Sequence, residues 1–136
     1  MTNNKEEIQQ KNMELHLIEQ QMQQVQKQLQ LLEQQLHDLN NILEAIGDIS
    51  KSKPGTEILV PMSSGIFIKA GIKDNKDFIV NVGSDVAVKK SAEETKKLIK
   101  EQETEIKKFQ QELKANLEKL ASKAAEIEKE LSELIK

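Results

Sequence analysis

From Ile8 the apolar residues fall at 8, 15, 18, 22, 25, 29, 32, 36, 39, 43 and 46, in alternating steps of three and four, with one gap where Lys11 occupies an apolar position. This is the heptad pattern of a coiled-coil seam. Ile8, Leu15, Met22, Leu29, Leu36 and Leu43 share one core position, and Lys11, Ile18, Val25, Leu32, Leu39 and Ile46 share the other. Most remaining positions are Gln, Glu, Asn or Lys, so one narrow stripe is apolar and needs a partner along its length. Gly47 follows Ile46 directly, where a helix C-cap glycine belongs. The sequence therefore predicts a first helix over residues 1–47 and a polar loop, DISKSKPGT, over 48–56.

A second helical arm is predicted over 91–136. Ser91 is placed to act as N-cap, with Glu94 as its capping-box partner. Its apolar line runs Ala92, Thr95, Ile99, Gln102, Ile106, Phe109, Leu113, Leu117, Leu120, Ala124, Ile127, Leu131 and Leu134. The two successive steps of four around Leu113 read as a stutter, which relaxes a left-handed supercoil. If the chain turns back between the arms, residue i faces about 138 minus i, so that both seams match along their length. Leu29 is then expected opposite Phe109, Leu15 opposite Ala124 and Ile8 opposite Leu131. An antiparallel hairpin within one chain follows.

Between the arms, residues 57–90 change character. Four short runs rich in Ile, Val and Phe predict four strands arranged as two β-hairpins. Val82-Gly83-Ser84-Asp85 reads as a two-residue connection with glycine at the first central position, as a type II′ turn requires. MSSG (62–65) closes the other hairpin, and Lys73-Asp74-Asn75-Lys76 joins the two. Pro61 belongs at a strand end or an unpaired edge. The assembly surface is expected on Ile58, Val60, Ile66, Ile68, Phe78, Val80, Val82, Val86 and Val88. Two isolated hairpins are marginal and leave edges open, while each arm uses its stripe on the other. The strands are thus expected to pair with copies or relatives of themselves in a shared sheet or barrel between subunits. The fold class is α+β in a single domain of 136 residues.

Composition narrows the function classes. The 37% apolar content, with three aromatic residues, is that of a coiled coil rather than an ordinary globular core. All 20 basic residues are lysine, and net charge is −4 over 1–46, +2 over 47–90 and −1 over 91–136. No arginine fork and no basic face point to nucleic acid. No run approaches the roughly 18 apolar residues of a membrane span, and MTNNKEEIQQ lacks a signal-peptide pattern, so a cytoplasmic location is expected. His16 and His37 follow core positions three heptads apart and cannot share a metal. The acidic runs Glu101, Glu103, Glu105 and Glu126, Glu128, Glu130 lie among lysines as a solvated face, or, for the distal set, a docking surface. Without a phosphate loop, metal quartet or nucleophile elbow, neither an enzyme nor a cofactor is expected. A structural coiled-coil tether remains the competitor, but it needs only a short turn between its arms.

ILVPMSSGIFIKAGIKD followed by VNVGSDVAVKKS, set between two heptad arms, resembles the archaeal-type alpha class of the prefoldin family. Ser63-Ser64 departs from the small Gly or Ala residues often found there. The resemblance implies an ATP-independent chaperone subunit: two alpha with four beta subunits build a double barrel. Its coiled-coil tips hold non-native client proteins and pass them to a group II chaperonin. A filament-forming relative is also compatible. Client contacts are expected at the arm ends, on Ile8, Met13, Leu15, Leu17, Ile18, Ile127, Leu131, Leu134 and Ile135. Met13 and Leu17 lie off the seam, and Lys11, opposite about Ile127, is expected to let the last turns splay. The plainer reading makes the seam residues packing and Met13 and Leu17 scattered surface residues.

Overall fold

The structure, a computed structural model, describes residues 2–135, with side chains described from residue 4. Helix α1 (Thr2–Lys51) leads into strands β1 (Glu57–Ser63), β2 (Ile66–Gly71), β3 (Asp77–Asn81) and β4 (Ala87–Ser91), and helix α2 (Ala92–Ile135) follows. Two compact units result, one of Met1–Leu36 with Glu105–Lys136, the other of His37–Thr104.

In the first unit the two helices run antiparallel. Lys11 pairs with Glu130, Glu14 lies 4.0 Å from Lys123, and the Gln110 amide donates to Glu33 at 3.1 Å. The α1 seam follows the heptad pattern, every position from Ile8 to Leu36 being buried or half-buried. A cluster of Ile18, Ala124, Ile127 and Leu131 forms the core, with Ile8, Leu15, Met22 and Leu120 packed on it.

Helix α2 departs from its expected line in the middle. Phe109 is 46% exposed while Gln110 is 8% exposed, and Gln102 is exposed while Glu103 is half-buried. Phe109 therefore does not meet Leu29 in the seam. From Glu103 to Leu134 the steps alternate regularly, with no stutter at Leu113.

In the second unit, α1 does not stop at Gly47, whose φ is not positive as a left-handed cap would need. It continues to Lys51, which shortens the loop to 52–56. Termination comes from side chains farther along: the Asn75 amide donates to the carbonyls of Ser50 (3.1 Å) and Ser52 (2.7 Å), while Ser52 Oγ donates to Ile49 O. Asn75 sits in the polar connection between the hairpins, so one side chain fastens that connection to the helix end. Replacing it, Asn75→Ala, should lower stability by about 1–2 kcal/mol in a thermal melt, because two carbonyl acceptors lose their partner. The serine at the start of α2 caps as expected, Ser91 Oγ accepting the Glu94 amide at 3.1 Å.

The two hairpins form separate two-stranded antiparallel sheets. β1 and β2 are closed by Ser64-Gly65, with Gly65 at φ +78°, and a register shift lies between Pro61 and Ser63. Pro61 thus sits within β1, opposite Phe67 and beside that shift. The β3–β4 turn is not the expected two-residue II′ connection. The Val86 amide donates to Gly83 O at 3.0 Å across Ser84 and Asp85, both at positive φ, and the Val82 amide donates to Val86 O. Positive φ at both central residues is the type I′ pattern. The difference of one residue sets the register: Val80 pairs with Val88 and Phe78 with Lys90. A slip of one would exchange the faces of the strand.

Candidate functional site

Two regions carry unsatisfied apolar surface, each described within its own unit. At the distal arm ends, Met13 is 68% exposed, Leu17 57% and Ile135 72%. Met13 and Leu17 are one turn apart on α1 and share a side. Ile135 follows the seam residue Leu134 and so lies on the other flank of the pair. The seam residues behave differently. Ile18, Ile127 and Leu131 are buried, and Ile8, Leu15 and Leu134 are half-buried. These six form or border the packed core, and the expected splaying is not what the structure shows.

The reason is Lys11. Instead of opposing Ile127 and prising the turns apart, it reaches across to the Glu130 carboxylate. The Lys11 side chain is mostly covered, and its ammonium meets the carboxylate. The hydrogen bond that Lys11 donates to Glu130, helped by the charges of Glu130, Glu7 and Glu14, raises the Lys11 pKa above its ordinary value. A raised lysine keeps its charge, and whatever the pair contributes, until pH climbs past its ordinary range.

In the second unit the exposed apolar surface lies on the hairpins. Ile58 opposite Ala70 and Val60 opposite Ile68 put Ile58, Val60, Ile66 and Ile68 on one face of β1–β2. The register of β3–β4 and the Val82–Val86 bond align Phe78, Val80, Val82, Val86 and Val88 on one face of the other hairpin. Ile58, Phe78, Val80 and Val88 are half-buried, and the other five are exposed. Sequence reasoning missed the reverse faces, where Leu59, Phe67 and Ile79 are also exposed. Their signal was present: ILVPM, IFI and FIV are unbroken apolar runs, the mark of strands covered on both sides rather than one. An open hollow of about 890 Å³ is lined by Ile49, Ile58, Ile72, Phe78 and Ile79, with Asp74 and Lys89 among its polar residues. Among the described residues every strand keeps one edge unpaired.

His16 Nε2 lies 3.2 Å from the Gln20 amide on the solvated side of α1. Among the described residues no group of three or more His, Cys, Asp or Glu is placed to hold a metal ion. Among the described residues no helix is long and apolar enough to cross a membrane.

Comparison with known proteins bears on this arrangement of arms and hairpins. The family model for prefoldin subunits matches residues 3–136. The chain belongs to the prefoldin family. It is 31% identical over 91 residues to the prefoldin subunit alpha of Thermofilum pendens, covering 67% of this chain and 70% of that protein. It is also 31% identical over 131 residues to prefoldin subunit alpha 1 of Methanocaldococcus jannaschii, covering 96% of this chain and 89% of the relative. Within the family it is thus of the archaeal alpha type. Among solved structures, the filamentous PFD of Methanocaldococcus jannaschii superposes with a TM-score of 0.79 at 18% identity, over 88% of this chain and 98% of that one, which shows a shared fold. Prefoldins are chaperones rather than enzymes.

Proposed function

We propose that this prefoldin subunit works as an ATP-independent holdase in the cytoplasm. Two such alpha chains join four beta chains through their hairpins, closing a β-barrel body between subunits. The arm ends hold non-native proteins and release them to a group II chaperonin. The observation that carries the reading is the division of apolar residues at the arm ends. A packed seam of Ile18, Ile127 and Leu131 keeps the arms together, while Met13, Leu17 and Ile135 remain in solvent and are free to meet a client. Apolar side chains held open on a rigid support bind weakly one at a time, and several arms around one client raise the net affinity by avidity. Weak single contacts also allow release without nucleotide. Ile8, Leu15 and Leu134, half-buried at the same end, would add contact area once a client leans on them.

The body supports assembly by the same logic. Two-stranded sheets with exposed apolar side chains and open outer edges are completed by strands of a neighbouring subunit. A second reading, self-assembly of this chain into a filament, is favoured by the fold shared with the filamentous relative.

The test combines mass and activity. The native mass of the chain is measured alone and with a beta-class partner, and aggregation of a chemically unfolded protein is followed without nucleotide. A defined hetero-oligomer that suppresses aggregation is expected. The triple variant Met13→Gln, Leu17→Gln, Ile135→Gln should keep that mass and lose most of the suppression. A monomer under both conditions would overturn the assembly, an open-ended polymer of the chain alone would favour the filament, and full activity of the triple variant would remove the arm ends from the site.

A further inference from the structure

In the middle of the arm pair a phenylalanine is held out of the seam and a glutamine is held in it. Phe109 does not stand alone. Glu14 and Lys123, in contact, each precede a seam residue by one, Leu15 and Ala124 respectively, so the flank formed by those preceding positions is shared between the two helices. Phe109 precedes Gln110 and lies on that flank. On α1 the same flank carries Leu17 and Leu31, which precede Ile18 and Leu32, with Gln21, Gln24 and Gln28 between them. Leu31, 65% exposed, stands in the stretch of α1 that reaches α2 through the Glu33–Gln110 bond. The opposite flank of α1 over the same span reads Glu19, Gln23, Gln26, Gln30 and Glu33, without an apolar residue.

We infer that this one flank, from Leu17 to Leu31 and Phe109, is a second capture surface for non-native polypeptide, continuous with Leu17 at the arm end. The inference rests on the holdase reading above and says where along the arm a client lies. Three observations select an extended, unfolded segment as the occupant. Between Leu17 and Leu31 the α1 flank is uncharged, and its glutamines each offer donors and an acceptor to the unpaired backbone of a chain of any charge. On α2 the same flank carries Phe109 and Asn116, both neutral, and one acid and one base, Glu112 and Lys119, which leave it without net charge. Leu17 and Leu31, fourteen residues apart in one helix, are separated by about 21 Å, a span that about six residues of extended chain cover. Three apolar side chains set apart by amides fall well short of the roughly 1,000 Å² that a stable interface with a second copy needs. The segment that fits is short and extended, with apolar residues about six apart.

The experiment compares the two flanks at one height. Gln24 and Gln26 are both exposed and stand on either side of the buried Val25. A photo-crosslinking side chain is placed at one or the other in the full chain, within its assembled complex, and exposed to a reduced, chemically unfolded model protein. Labelling from position 24 should exceed that from 26 by at least about fivefold. In parallel, the variant Leu31→Gln, Phe109→Gln, which alters only exposed side chains, should melt as the parent does and bind the unfolded protein about fivefold more weakly. Equal labelling, preference for position 26, or unchanged affinity of the double variant would overturn the flank while leaving holdase activity standing. A parent complex that fails to delay aggregation would overturn both.

Discussion

Ile127→Ala should destabilise the paired arms by about 2–4 kcal/mol, the range for deleting a large aliphatic side chain from a packed site. The effect is large because this unit has little core to share the loss. Ile18, Ala124, Ile127 and Leu131 are its connected buried cluster, and Ile8, Leu15, Met22 and Leu120, packed against it, are themselves only partly buried. A two-helix pair has no further layer to collapse into the gap. Ile135→Ala, eight residues away on an exposed position, removes a side chain of the same size and should change stability by less than about 0.5 kcal/mol. Denaturant unfolding followed by helical circular dichroism separates the two. Equal effects would mean that the distal seam is not the source of the arms' stability.

The same contrast explains what could be read in the sequence. On α1 every heptad offers one apolar choice per core position, and the single exception, Lys11, is long enough to lie along the seam and reach Glu130. Antiparallel helices joined by two hairpins were therefore legible, and so was exposure of Met13, Leu17 and Ile135 off the seam. Splaying was not: lysine at a core position was read as a pure loss, because the acid that meets it is 119 residues away. The α1 end was misplaced for a related reason. A glycine after the last apolar residue is a local signal, whereas the Asn75 amide that donates to the carbonyls of Ser50 and Ser52 arrives from a different loop. The β3–β4 register shifted because Ser84 and Asp85 tolerate positive φ in place of glycine.

Helix α2 posed a choice that apolarity alone decided wrongly. Ile99, Ile106 and Leu113 belong to two interleaved lines, one completed by Gln102 and Phe109, the other by Glu103 and Gln110. The second continues the heptads of Leu117, Ala124 and Leu131 backwards without a break. An uninterrupted phase keeps the supercoil regular, whereas seating Phe109 requires a stutter at Leu113. Packing of the distal run therefore carries Gln110 inward, where its amide meets Glu33.

That position yields two opposed outcomes from one residue. Gln110→Leu should stabilise the arms by about 1 kcal/mol: the new side chain buries apolar surface in the seam, and Glu33, itself exposed, regains water when its donor is lost. Gln110→Glu keeps the size and replaces the donor with a carboxylate about 3.1 Å from Glu33 Oε2, at a site with 8% exposure. Like charges so placed should destabilise the folded arms by about 2 kcal/mol at neutral pH. The sign of the pH dependence follows. Repulsion and burial make the introduced carboxyl hold its proton more tightly in the folded state than in the unfolded chain, so stability falls as pH rises through the carboxylate range and returns on acidification. Gln111→Glu, exposed next door, lacks both effects. Melting curves of the three variants between about pH 4 and pH 8 distinguish the cases, and a Gln110→Glu variant with a flat profile would place residue 110 outside the seam.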